Sequence, residues 1–131
     1  MELFIIVALI YIGISYLLTP ENADGLLAGY NTMSAERKKR YDIVSIVKVL
    51  NLTLRWNGIC IGIIGVATVL LEWPIIIYPI LLCGSIISLM VANVYTRIKF
   101  STDPMHWYDW LLPIGIIIGT IIMTYILIAN N

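Results

Sequence analysis

Charge is what this chain has least of. Lys, Arg, Asp and Glu make up 12% of its 131 residues, against 60% hydrophobic. A soluble domain of this size carries about a quarter charged residues to cover its surface, so a water-soluble globule is excluded. Histidine occurs once and cysteine twice. Cys60 and Cys83 fall in apolar stretches at different depths, with no His or acid near either. No disulfide is expected, and both read as small packing residues rather than as a metal or redox pair. There is no Gly-rich phosphate loop, nucleophile elbow or zincin pattern. No charge falls mid-way along an apolar stretch, where proton relays and many ion carriers need one. Catalysis, a cofactor and a resident metal are therefore not expected. The net charge of zero points to no partner, and a nucleic-acid partner is not expected.

Long apolar runs are what is there, at a mean hydropathy of +0.94. A helix needs about 20 mostly apolar residues to cross the hydrocarbon core. Leu3–Leu18 is slightly short of that and ends at Thr19-Pro20. It has no basic n-region and no small-x-small cleavage site, so an uncleaved anchor is expected rather than a signal peptide. A second apolar run, Gly58–Leu71, extends back towards Leu50 through Asn51, Arg55 and Asn57. Ile75–Val94 follows Pro74, which is pre-set for a first helical turn, and Leu111–Ala129 tolerates Pro113 near its start. The expectation is an all-α membrane protein with four transmembrane helices at about 3–18, 54–71, 75–94 and 111–129. Three spans, with the second stretch lying in the interface, is the alternative. Only Glu72, Trp73 and Pro74 separate the second and third, which makes those two an antiparallel hairpin. Residues 1–97 form a three-helix membrane unit. Residues 98–131 add an interfacial segment and the fourth helix.

The placement of basic residues orients the chain. Arg37, Lys38, Lys39, Arg40, Lys48 and Arg55 belong to the first connection, and Arg97 and Lys99 to the third. The Glu72 turn and both tails carry none. Under the positive-inside rule, loops 19–54 and 95–110 are cytoplasmic and both termini lie outside. Trp56, Trp107 and Trp110 fall at the inner interface, and Trp73 with Tyr78 at the outer.

Loop 19–54 is the only stretch large enough for distinctive soluble structure. Ser34 is a candidate N-cap, with Glu36 in the first turn and Arg37–Arg40 continuing the helix. Ile43, Ile46, Val47, Leu50 and Leu54 then repeat as one helical face. An amphipathic interfacial helix is expected at about 42–54, bending or continuing into the second span. Asn51 and Arg55, with Asn57, are either a polar site at the cytoplasmic mouth of the bundle or interfacial anchors. Anchoring, with the Arg55 guanidinium snorkelling to the headgroups, is preferred. The Arg37–Arg40 cluster likewise either marks topology and attracts anionic lipid or docks a partner, the former preferred.

The run Ala28-Gly29-Tyr30-Asn31-Thr32-Met33-Ser34, with Glu36 and then Tyr41-Asp42, resembles a family of small bacterial membrane proteins carrying a domain of unknown function. Their mark is a first membrane helix, this motif, and two further helices, and the resemblance covers roughly residues 1–97. It implies a bacterial plasma membrane and no assigned activity. A looser similarity links Asn22, Gly29, Tyr30, Thr32 and Glu36 to membrane proteins that confer immunity to sporulation-delaying toxins. Asn31 departs from the arginine of that family, and the Asn-to-Gly spacing is longer here. Physically, Gly29, Tyr30, Asn31 and Thr32 suit a turn in which glycine permits unusual backbone angles and Asn and Thr bond local backbone. That turn is either a structural loop pinned to the membrane or a recognition loop.

Two weaker features complete the inventory. Asp103, His106 and Asp109 at spacings of three could share a helical face. One histidine and two carboxylates make a poor metal set, and the flanking tryptophans favour an interfacial anchor. Small residues recur at Gly58 and Gly62, at Gly84 and Ser88, and at Gly115 and Gly119. Such stripes allow close packing, either inside the bundle or against another membrane protein. The function expected from all this is non-enzymatic binding at the bilayer, toxin immunity being its most concrete form. An accessory subunit of a transporter or channel is the alternative.

Overall fold

The computed structural model describes residues 2–27, 30–74 and 76–129. The elements among the described residues are helices, in the order α1 (Glu2–Leu17), α2 (Ala23–Leu26), α3 (Ala35–Lys38), α4 (Ile43–Leu70), α5 (Ile77–Phe100), a 3-10 turn (Trp107–Trp110) and α6 (Leu111–Ala129). Three helices are long and apolar enough to cross a membrane: Ile43–Leu70, Ile77–Phe100 and the continuous Trp107–Ala129. They make the chain a membrane protein. The expected first span is α1, uncharged after Glu2 but only 16 residues long.

The separate interfacial helix expected at 42–54 and the span at 54–71 are one 28-residue helix, α4. Neither proline nor glycine interrupts it between Asp42 and Gly58, and Asp42 caps its start by accepting from the Ser45 amide at 3.2 Å. Its amphipathic face is not laid against lipid. Ile46, Val47 and Leu50 are buried with Leu18, Ala23 and Ala92, and Leu27, Tyr30, Tyr41, Ile43 and Phe100 pack around them. The loop itself thus covers the face that periodicity assigned to the membrane surface. α4 ends at the tight Glu72 turn, where a φ of 52° takes the left-handed conformation common just after a helix. α5 runs six residues past the expected end at Val94, because nothing breaks the helix before Phe100. The expected helix over Arg37–Arg40 stops at Lys38, leaving Lys39 and Arg40 in a turn.

The helices pack in chain order: α1 on α4, α4 on α5, α5 on α6. The α1–α4 contact is the closest, and glycine makes it so. A methyl group on Gly58 would stand 2.9 Å from the Ala8 carbonyl oxygen, one on Gly62 3.3 Å from the Ala8 methyl, and one on Gly65 would collide with the Phe4 ring. Across the bundle Tyr11 and Ser85 share a hydrogen bond of 3.1 Å, and the Phe4 and Tyr78 rings lie 4.7 Å apart. The other small-residue stripes behave differently. Gly84, Gly115 and Gly119 face open space, so they serve no internal packing, and Ser88 instead exchanges hydrogen bonds with Asn57. Most large side chains of α6 are exposed, as on a helix surrounded by lipid.

Candidate functional site

The polar chemistry of the chain gathers where α1 ends, α4 begins and α5 ends. α1 stops at Leu17, and its last carbonyls would be orphaned without partners. Asn22 reaches back to the Leu17 oxygen while accepting from the Thr19 amide at 2.8 Å. Asn51, from α4, donates to the Leu18 oxygen at 2.8 Å. One turn further along, the Arg55 Nε donates to Ser15 Oγ at 3.1 Å, and its guanidinium lies over the Tyr16 ring at 4.3 Å. Asn57 points the other way and donates to Ser88 Oγ on α5 at 2.8 Å. Asn51, Arg55 and Asn57 therefore form no common site. Each ties α4 to a neighbour, and the Arg55 head rests on the end of α1.

The loop that follows α1 folds back over this junction. Ala23 is fully buried, and Tyr30 packs into the same cluster, its ring edge-on to Tyr41 at 6.1 Å. Lys38 sits over the Tyr30 ring at 5.4 Å and pairs with Asp24 at 2.7 Å. Ser34 caps α3 through the Arg37 amide. Asn31, Thr32 and Glu36 are exposed, while Gly29 lies outside the described residues. The motif residues thus divide: Tyr30 turns inward as packing, and Asn31, Thr32 and Glu36 stay on the surface.

A second connection closes on the first. Tyr41 and Ser101 form an antiparallel bridge, in which the Asp42 amide donates to the Phe100 oxygen at 2.8 Å and the Thr102 amide to the Arg40 oxygen at 2.9 Å. This brings in Asp103, whose side chain is only 6% exposed. Arg37 donates to its Oδ2 through Nε at 2.8 Å and contacts it through Nη2 at 2.7 Å. Tyr41 donates its hydroxyl to the same oxygen at 2.8 Å. Arg40 lies 3.5 Å from Oδ1, and Arg97 3.8 Å from Oδ2. Arg97 Nη2 is closer to Asp109, at 2.9 Å, as an ion pair. Its buried Nε, like the buried Oδ1 of Asn51, has no hydrogen-bond partner among the described residues.

The electrostatics follow from this geometry. The Arg37 hydrogen bond, against the opposing effect of burial, holds the Asp103 carboxyl below the usual carboxylate range, helped by Tyr41 and Arg97. Burial, then donation to Asp103, pushes the Tyr41 hydroxyl up. The bond to Asp103 likewise raises Arg37. One buried carboxylate thus gathers three arginines and a tyrosine into a charge-assisted network.

Asp103, His106 and Asp109 do not share a helical face. Asp103 precedes the 3-10 turn and faces the loop, Asp109 faces Arg97, and the His106 ring stacks on Tyr108 at 5.0 Å. Among the described residues no group of three His, Cys, Asp or Glu is placed to hold a metal. Sequence reasoning missed Asp103 as a hub, and with it Arg37, Arg40, Tyr41 and Arg97 as its partners. The available signal was a pair of carboxylates, Asp103 and Asp109, set in the third connection beside Arg97 and Lys99.

Fold and site together define a small polytopic membrane protein whose two basic connections are stitched into one polar cap. Residues 5–97 match the model of a family defined by a domain of unknown function, DUF3784, and the chain belongs to that family. No curated protein and no solved structure matches it.

Proposed function

We propose that this chain is a four-span bacterial plasma-membrane protein that acts by binding rather than by chemistry, and that its cytoplasmic cap is the part that binds. The observation carrying this is the Asp103 network. A loop serving only to orient the helices needs positive charge but no fixed conformation. Here it is tied to the third connection by a backbone bridge and a buried carboxylate shared among Arg37, Arg40 and Tyr41. Such ties fix the loop just after Asn31, Thr32 and Glu36, and ordering a recognition surface in advance lowers the entropic cost of binding. The four-span topology is supported by the apolar α1, whose carbonyls are capped by Asn22 and Asn51 where it would leave the hydrocarbon.

Toxin immunity is the concrete version of this proposal. Cells lacking the gene should be more sensitive than their parents to neighbouring toxin-producing strains, and a surface variant at Asn31, Thr32 and Glu36 should fail to restore resistance. Unchanged sensitivity removes that version. An accessory role in a transporter or channel is the second reading, favoured by the open faces of Gly84, Gly115 and Gly119. Cross-linking in membranes that captures only monomer counts against it.

A further inference from the structure

Beside the Asp103 network, and sharing Arg40 with it, lies a cleft whose lysines the proposed function does not use. It opens between the two connections with a volume of about 410 Å³, lined by Lys39, Arg40, Asp42, Lys99, Phe100 and Thr102 among others. Three of these are cations and one is an acid. The acid does not neutralise them, because Asp42 is turned to the start of α4, accepting from the Ser45 amide at 3.2 Å and the Ser45 hydroxyl at 2.6 Å. Arg40 gives Asp103 only a 3.5 Å contact from Nη1, so most of its N–H donors stay available. Lys39 has no carboxylate partner among the described residues, and Lys99 is held in place by a 2.8 Å hydrogen bond to the Tyr95 hydroxyl. Such a cluster suits a phosphate group: arginine offers a planar fork and lysine a point charge.

The surroundings say which molecule carries the phosphate. Tyr95, which holds Lys99, also lines an almost wholly apolar groove of about 310 Å³ between α5 and α6, with Val94, Ile98, Trp110, Ile114 and Ile117. The groove begins at Ile98, next to Lys99 of the cleft, and runs deeper along the same helix through Tyr95 and Val94. A cationic cleft set beside an apolar groove at the end of a membrane helix fits a headgroup and a chain. We propose that the cleft of Lys39, Arg40 and Lys99 binds the phosphate of an anionic phospholipid, one acyl chain of which lies in the α5–α6 groove. This goes beyond the proposed function and rests on it only for the leaflet that supplies the lipid. A different topology would move the leaflet and leave the binding intact.

Native mass spectrometry of the full chain in mild detergent tests this directly, with phosphatidylglycerol, phosphatidylcholine and water-soluble glycerophosphate as probes. The expected result is one phosphatidylglycerol adduct formed in preference to phosphatidylcholine. The double substitution Lys39→Gln, Lys99→Gln should weaken it about tenfold, the scale of removing two near-surface cations under moderate salt screening. Lys48→Gln, an exposed cation of α4 outside the cleft, should leave it unchanged. Both changes are at exposed positions, and unaltered thermal unfolding of the double variant shows that the fold survives. Equal adducts with the two lipids, or an undiminished adduct in the double variant, overturns the proposal. Displacement of the lipid by glycerophosphate at matching concentration overturns the lipid as its source.

Discussion

Replacing Asp103 by asparagine should open the cap while leaving the bundle closed. The side chain is 6% exposed and takes the Arg37 Nε, the Arg37 Nη2 and the Tyr41 hydroxyl on one oxygen. Asparagine keeps an acceptor but loses the charge, and its amide group must then face a guanidinium. A hydrogen bond to a charged group contributes about 1.5–3 kcal/mol. Arg37 is 40% exposed, so solvent screening reduces its share to about 1 kcal/mol. The Tyr41 bond, once made to a neutral acceptor, weakens by about 1 kcal/mol more. The cap should therefore lose about 2 kcal/mol, which is roughly a 30-fold rise in its opening constant. Hydrogen–deuterium exchange reads this at two amides that are protected only while the connections are joined: Asp42, bonded to the Phe100 oxygen, and Thr102, bonded to the Arg40 oxygen. Both should exchange about 30-fold faster in the variant, with amides in the middle of α5 and α6 unaffected. Unchanged exchange at Asp42 and Thr102 would refute the hub, and uniform acceleration throughout would show that Asp103 supports the bundle rather than the cap.

Other outcomes follow from the same contacts. Gly58→Ala places a methyl 2.9 Å from the Ala8 carbonyl and should cost about 1–3 kcal/mol as overpacking. Gly115→Ala meets open space and should be neutral or stabilise by up to about 1 kcal/mol through helix propensity; thermal unfolding in detergent compares the two. Asn57→Ala removes the bonds to Ser88 and to the Ser85 carbonyl, and should cost about 1 kcal/mol, the usual scale for polar contacts between membrane helices, measured the same way. The cap should also respond to pH at both ends. Asp103 is lowered, so its contribution is complete above the ordinary aspartate pKa of about 4 and is lost as pH falls below it. Tyr41 is raised, so its contribution is complete below about 10 and is lost as pH rises through its folded value. Exchange at Thr102 under conditions where reclosing outpaces exchange, corrected for intrinsic rates, should give a flat opening constant between these limits and a rising one outside them.

How much of this was legible in the sequence varied by the range of the interaction. α6 coincides with its expected limits of 111–129, because no charge interrupts the run and the interfacial aromatics precede it. The start of α4 was obscured by Asn51 and Arg55, whose partners Leu18 and Ser15 lie on another helix. The face formed by Ile46, Val47 and Leu50 was correctly read as one helical face, yet its covering, supplied by Leu18, Ala23 and Tyr30, depends on how the loop folds. Periodicity reports that a face is buried, not what buries it. The Asp103 hub joins residues 62 and 66 apart, beyond any local pattern, whereas the spacing of three to His106 and Asp109 implied a helical face that does not form. The three small-residue stripes look alike as text. Only the one on α4 meets a neighbouring backbone, because α1 alone approaches closely enough.

The central claim is that both basic connections lie together on the cytoplasmic side of a four-span protein. Single-cysteine labelling in intact cells tests it, with Cys60 and Cys83 replaced by alanine and one cysteine placed at Glu72, Lys39 or Thr102, alongside a reporter fused after Asn131. The account predicts that a membrane-impermeant maleimide labels position 72 in intact cells, that positions 39 and 102 label only after the membrane is opened, and that the reporter signals from outside. Labelling of 39 and 102 on opposite sides, or a cytoplasmic signal from the reporter, would contradict it.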